Sequence, residues 1–415
     1  MPRGPTWYTS PLTALLAEPR YLEHFHHIEP LLEPLAERFG TVSLVLPAGA
    51  QASAFYRNHF AGLEAREWLE ITTAPAPLVT LPVQPTPVQR ERHSRDVARW
   101  LAQRIDELRP ECVVIPTVDG LDSRLLRDLR GPARRETRFV FGYHWAVAPV
   151  VKSWRAWRVS PRGDPYENLW SARGNGHLVR LVQDHTILTE LRKRRPKVAD
   201  RIGPMPFAFR AYAPLSKQIA RERIGLTAAG PVIGITGSLQ RRKKIMEILC
   251  RGEDSGLLGH VIYALMGPFE DGLQQALAAR FPDLVRRGRL WMRDRALSPQ
   301  EVWTALSAFD CVVASYNPLK RGLSAIALQA LAVGCPFIAT ATPWMRSVRS
   351  STGQGHLVQN SADPAELARA LLAAVASRPG VPPAVQALLD RHGVERYRVV
   401  MMDAVDGRLS RIERS

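Results

Sequence analysis

The sequence is short of acid. Its 415 residues carry 39 Asp and Glu against 56 Lys and Arg, a formal net charge of +17. Such a chain favours anionic partners (phosphates, acidic lipid, nucleic acid), beside the plainer reading of a soluble protein of high pI. Cysteine is scarce too: only Cys112, Cys250, Cys311 and Cys335, scattered far apart with no metal-ligand or CxxC spacing. That excludes a disulfide scaffold and a thiolate zinc site, and predicts buried thiols in a reducing cytosol. Long apolar runs are also missing. The start, MPRGPTWYTS, has no apolar signal region. Gly322 to Met345 is uncharged, but Gly334-Cys335-Pro336 interrupts it, so it predicts helix, turn and buried strand rather than a membrane span. The expectation is a cytoplasmic protein, free or peripheral at the inner face of a membrane.

What is present is ample for cores: 46% hydrophobic and 23% charged. Short apolar runs alternate with amphipathic segments. The first series has a helix over 18–38 stopped by Gly40, then strand TVSLVLP (41–47), then a Pro-rich stretch 71–88 with a strand around LVTLPV. A helix over 89–109, strand ECVVI, a helix over 121–130 and strand RFVFGYHW (138–145) follow. The second series has strands PVIGITG, HVIYALMGP, GRLWM, DCVVASY and PFIAT, with helices between them. In SPQEVWTALSAF (298–309), Ser298 caps, Pro299 suits the first position and Glu301 completes a capping box. Buried strands alternating with helices predict α/β domains with parallel, doubly wound sheets. The boundaries are a first domain over 1–200, a Pro-rich linker over 201–228, a second domain over 229–383, and a last helix within 384–415 packing back toward the first domain.

In the second series the order of signals is specific. PVIGITG ends in Gly237, followed by Ser238 and the bases Arg241, Arg242, Lys243 and Lys244. HVIYALMGP ends in Gly267-Pro268. DCVVASY reaches Ser315, and Gly322 opens a helix that closes at Gly334-Cys335-Pro336. Ligands of doubly wound domains sit outside the carboxyl ends of the strands, where these residues fall. A glycine there lets backbone approach a ligand, and cations with a helix N-terminus suit a pyrophosphate. The alternative for the basic stretch is a solvated helix face. Ser315, Tyr316 and Asn317 either line that pocket or form an Asn-Pro turn.

This series resembles the donor-binding domain of GT-B glycosyltransferases, the retaining family-four (group 1) kind, over roughly 200 to 405. HLVQNSADPAELARALLAAV (356–375) is similar to that family's closing strand, loop and helix, and FRAYAPLSKQIARERIGL (209–226) to its linker. The resemblance implies two Rossmann-like domains with an interdomain cleft. The implied reaction is sugar transfer from a nucleotide diphosphate sugar to a glycan, lipid-linked or small acceptor, retaining and metal-independent, with no cofactor beyond that co-substrate. The implied donor contacts are Gly237, Ser238, Arg242, Lys243, Gly267, Ser315, Gly322, Leu323, Ser324 and Gln329. Lys243 matches the family's second phosphate-binding base. The sequence departs from the pattern at both Glu positions, which hold Arg321 and Gln329, and at Trp344-Met345-Arg346. Gln329 can still hydrogen-bond a ribose. Arg321 can only donate, so either the donor sugar is acidic or catalysis is lost and the chain acts as a partner or scaffold.

Catalytic groups are expected from the first domain. Asp119 and His144 stand at strand ends, and with Arg321 they are the catalytic candidates. His24, His26 and His27 cluster on the first helix, with His24 and His27 one turn apart on one face; they mark a helix surface, a site contact or, given a third ligand that the sequence does not identify, a metal site. His185 follows another strand. The Trp-and-Arg segment 145–173 suits a buried insertion, a stacked sugar, a membrane interface or single-stranded nucleic acid, and the basic run Arg192 to Lys197 would add affinity for anionic lipid. The absence of a reader motif argues against nucleic acid.

Overall fold

The computed structural model describes residues 6–8, 25–46, 49–60, 62–75, 87–116, 137–144, 177–213, 215–227, 229–254, 256, 259–315, 322–359, 364–376 and 380–408. The chain forms two compact units, Met1–Ala208 with Val394–Ser415, and Phe209–Gly393.

The first unit is built on a seven-stranded sheet: β1 Thr6–Tyr8, β2 Val42–Leu46, β3 Leu69–Thr73, β4 Cys112–Ile115, β5 Arg138–Tyr143, β6 Leu178–Val182 and β7 Ile202–Pro204. The order is β3-β2-β1-β4-β5-β6-β7, and every pairing is parallel. Parallel strands are covered on both faces, which is why VSLVL and CVVI read as near-continuous apolar runs. One core joins the sheet to α1 (Glu29–Phe39) and to the terminal helix Val394–Val405 through Leu31, Leu35, Leu44, Tyr397 and Met401. The other joins it to α2 (Pro87–Leu108) and α3 (His185–Arg194) through Leu101, Ile105, Ile187 and Leu191.

Several expectations shift here. The helix read over 18–38 is described only from a 3-10 turn at Phe25–His27 and then α1, which ends on Gly40 at φ 81. Ile202–Pro204, read as the start of a linker, is the edge strand; an edge tolerates proline because one side of the ladder needs no donor. The strand around LVTLPV and the helix over 121–130 lie outside the described residues.

The second unit opens with α4 (Lys217–Ile224), also inside the stretch read as linker. It is capped by Ser216 and tied down by Asp310. The Asp310 carboxylate accepts from Lys217, from Arg221 and from the backbone N–H of Val232 at 2.6 Å. Its strands are β8 Val232–Thr236, β9 Ile262–Met266, β10 Leu290–Arg293, β11 Cys311–Ala314, β12 Phe337–Thr340 and β13 His356–Val358, in the order β10-β9-β8-β11-β12-β13, again all parallel. Around them lie α5 (Ile245–Asp254), α6 (Leu273–Arg280), α7 (Pro299–Ala308), α8 (Ala325–Ala332), α9 (Pro343–Thr352), α10 (Pro364–Ala376) and α11 (Pro383–Leu389). α7 carries the expected capping box, Ser298 and Glu301 each bonding the other's backbone N–H. The single last helix expected over 384–405 is two, separated at Gly393, whose φ of 91 no helix continues through. Among the described residues no helix is long and apolar enough to cross a membrane.

Candidate functional site

Counting strands within each unit, both sheets begin 3-2-1-4-5-6, so each has a switch point between its first and fourth strands. In open α/β sheets that is where ligands bind, beyond the strand carboxyl ends. In the second unit the switch lies between β8 and β11. β8 is buried throughout and runs into Gly237, whose φ is 84. A Cβ there would lie 3.6 Å from Lys243 Nζ and 3.9 Å from Ile326 Cγ1 on the first turn of α8. Gly237, Lys243 and the start of α8 therefore meet at one point. Gly267, at φ 138, closes the point from below: a Cβ on it would fall 2.1 Å from the Gly237 carbonyl oxygen. Glycine at 267 is thus a packing necessity.

Lys243 Nζ donates to the Thr236 carbonyl at 3.0 Å, which holds the ammonium against the end of β8. The segment QRRKK does not start the α-helix directly. Arg241–Lys243 is a 3-10 turn, Lys244 takes a left-handed conformation at φ 55, and α5 follows from Ile245. Arg241 is turned away by acid: its N–H donates to Glu270 Oε2 at 2.8 Å and its guanidinium to the Asp271 carbonyl at 3.2 Å. Ser238 is buried; nothing is described of the Arg242 side chain.

Gly322, at φ 144, and Leu323 precede α8, and Ser324 is its N-cap, accepting from Ala327 N–H at 3.2 Å. The helix thus begins at Ala325, three residues after the expected opening. Its earliest N–H groups have no partner within the helix and carry the positive end of its dipole. Gln329 is half-buried, one turn beyond Ile326. Ser315 ends β11 with its hydroxyl buried and without a hydrogen-bond partner among the described residues, and Thr236 Oγ1 at the end of β8 is in the same state. Thr236 was not anticipated; a polar residue ending an otherwise apolar strand was its signal. Arg321, Tyr316 and Asn317 lie outside the described residues.

In the first unit the described strand ends carry a buried histidine. His144, at the end of β5, is 3% exposed. Its Nε2 donates to the Pro116 carbonyl at 3.0 Å, and its Nδ1 lies 3.0 Å from Gln183 Oε1. Burial pushes this imidazole down from 6.5 to about 4, against the pull of Gln183 and Pro116. Both ring nitrogens of this strand-end histidine are thus engaged inside the protein. His27 is buried, not on a helix surface, with its ring centroid 4.4 Å from His144 and 4.0 Å from His26. Among the described residues no group of three His, Cys, Asp or Glu could hold a metal. His185 is the first residue of α3, beside the capping Asp184. Residues Arg192 to Lys197 are exposed, and Arg194 pairs with Glu190 at 2.8 Å. His24, Asp119 and the Trp-and-Arg segment 145–173 lie outside the described residues.

Residues 230–377 match the family model described as Glycosyl transferases group 1. No curated protein matches the sequence. The structure is similar to HepE of Anabaena in complex with UDP and glucose, at 14% identity, TM-score 0.60, covering 97% of this chain and 99% of that one. It is similar to the sucrose-phosphate synthase of Thermosynechococcus elongatus at 17% identity and TM-score 0.61, covering 99% and 98% of the two chains. It is also similar to a glycosyltransferase of Rickettsia africae at 10% identity and TM-score 0.61, covering 98% of each. Residues 230–377 thus carry a glycosyl transferases group 1 domain, in a chain that has the GT-B fold of glycosyltransferases.

Proposed function

We propose that the protein transfers a sugar from a nucleotide diphosphate sugar to a glycan, lipid-linked or small-molecule hydroxyl, with retention at the anomeric carbon and without a metal. The observation that carries this reading is the meeting of Gly237, Lys243 and the start of α8 at the switch point of the second unit. The bond from the anomeric carbon to the diphosphate breaks, and charge grows on the leaving phosphate. The Lys243 ammonium and the first N–H groups of α8 are fixed donors for that charge, so no cation needs to be recruited. The acceptor oxygen forms the new bond to the anomeric carbon, and its proton passes to the departing phosphate oxygen. Gln329 serves the ribose hydroxyls in place of a carboxylate, while Ser315 and Thr236 offer hydroxyls that lack hydrogen-bond partners among the described residues. Arg321, in the position where the resemblance places the sugar-binding Glu, suits a donor sugar bearing a carboxylate or phosphate.

The test is a thermal shift against UDP, GDP, ADP, CMP and dTDP, alone and as sugar conjugates. HepE was seen with UDP, which makes the uridine series the first to try. A rise in melting temperature with one diphosphate, lost in Lys243→Ala, is the expected result. The replacement of a Glu by Gln329 favours one second reading, a non-catalytic partner of another transferase. Diphosphate binding without turnover of any conjugate would select it; no binding at all would overturn both.

A further inference from the structure

The first unit's carboxyl edge holds a buried polar chain that the donor site does not use. Pro116 leaves β4 with its carbonyl pressed against β5: a Cβ on Gly142 would fall 2.2 Å from that oxygen. His144 Nε2 donates to the same oxygen at 3.0 Å, Gln183 Oε1 lies 3.0 Å from His144 Nδ1, and Gln183 Nε2 lies 3.5 Å from His27 Nε2. Gln183, His27 and His144 are each at most 5% exposed.

The chemistry of these atoms allows two arrangements. A carbonyl can only accept, so His144 Nε2 carries a hydrogen in both. If the ring is protonated, Nδ1 also donates, and Gln183 must turn Oε1 toward it, as the structure has it. If the ring is neutral, Nδ1 accepts, and the amide must turn over to offer Nε2. That rotation brings Oε1 to His27 and requires a hydrogen on His27 Nε2; the first arrangement requires none there.

We propose that Gln183 is a positioning residue of this edge, an amide rotor that couples the protonation of His144 to the tautomer of His27 while His144 holds the Pro116 carbonyl. Among the described residues the neighbouring ionisable groups are His26 on the same turn as His27, Tyr397 on the terminal helix and Asp184 beside Gln183. Tyr397 donates its hydroxyl to the His27 carbonyl at 2.8 Å, and Asp184 accepts from Thr186 N–H at 2.9 Å and Thr186 Oγ1 at 2.6 Å. Neither carboxylate nor guanidinium contributes to the shift of His144, whose causes are burial, Gln183 and Pro116. Burial thus favours the neutral ring at pH 7, with the amide turned over from the orientation in the structure; as the ring protonates, the amide turns back to it.

The experiment is long-range proton–nitrogen spectroscopy of the full chain labelled at histidine nitrogen. The wild type is expected to show His144 as the neutral Nε2–H form at pH 7, with His27 protonated at Nε2 and both signals changing together near pH 4. In the isosteric Gln183→Glu, a carboxylate that only accepts should hold His144 protonated at pH 7. Gln183→Leu should uncouple the two rings and, through the loosened Pro116, lower kcat by roughly tenfold to a hundredfold with donor KM unchanged. Only this activity arm rests on the glycosyl-transfer reading; in the absence of wild-type turnover the spectra decide alone. If Gln183→Leu does not fold, Gln183→Glu carries the test. An unchanged His144 midpoint in folded Gln183→Glu would overturn the proposal, as would independent titration of His27 and His144 in the wild type.

Discussion

The two sheets share one winding order, yet they use their carboxyl edges differently. In each unit a glycine is pressed on a neighbouring strand-end carbonyl, Gly267 on Gly237 and Gly142 on Pro116. In the second unit the pinched strand is the first, β8, and what lies beyond it is glycine, a lysine and a helix start, with two buried hydroxyls lacking hydrogen-bond partners among the described residues. In the first unit the pinched strand is the fourth, β4, and His144, itself in contact with Gln183, donates to its terminal carbonyl from inside the protein. One winding order therefore leaves two hydroxyls at one edge without hydrogen-bond partners among the described residues, and at the other a strand-end carbonyl that is satisfied. An unsatisfied buried polar group costs about 1–3 kcal/mol, which a ligand can recover on binding. This is why the donor reading rests on the second unit.

The strongest way to break this comparison is Lys243→Ala. Loss of a fixed donor for leaving-group charge should lower kcat by about a hundredfold to a thousandfold, with an unchanged denaturation midpoint. Steady-state kinetics decides, and a loss matched in the first-unit variant Gln183→Leu would erase the distinction. The two glycines come next. Gly267→Ala and Gly142→Ala each force a methyl into a carbonyl and should cost about 3 kcal/mol in urea unfolding, but only Gly267→Ala should also abolish the nucleotide-induced thermal shift.

His144 sharpens the contrast through pH. Its folded value of about 4 lies below the ordinary 6.5, so the unfolded chain binds the extra proton between them. Stability from this group is complete above about 6.5 and falls as the pH drops toward 4, by at most about 3 kcal/mol. His144→Asn should flatten that part of the stability profile, and a slope that persists would show that another group is responsible. The smallest effect is at α7. Ser298→Ala should cost about 1 kcal/mol of stability. Glu301 is lowered from 4.5 to about 2 by Arg295 and then by Ser298, so its contribution holds above pH 4.5 and drains toward pH 2. Glu301→Gln should remove that acid limb, a small change because the pair is solvent-screened.

Much of the second unit was legible because its signals are local. A capping box needs only Ser298 and Glu301 three apart, and buried strands such as IYALM announce themselves by composition. β1 was not legible: Thr6–Tyr8 is three residues in a Pro-flanked start, and its place at the centre of the sheet comes from pairing with β2 and β4 far along the chain. β7 was read as linker because Gly203 and Pro204 are turn residues everywhere except at a sheet edge. α9 (Pro343–Thr352) also escaped notice, although Thr342 caps it. At the site, Gly237, Lys243 and Ser324 could be named because each follows a strand or opens a helix. The partnership of His27, Gln183 and His144 could not, since it joins residues up to 156 apart that share no pattern.

The terminal helix has a consequence for synthesis. Tyr397, Val400 and Met401 complete a core begun by Phe25, Leu31 and Leu44, and the Tyr397 hydroxyl bonds the carbonyl of a residue 370 positions earlier. A ribosome finishes the whole of Phe209–Gly393 before that helix exists. The half made first is therefore the half sealed last, and until the helix arrives its apolar surface stays open to chaperones and to aggregation.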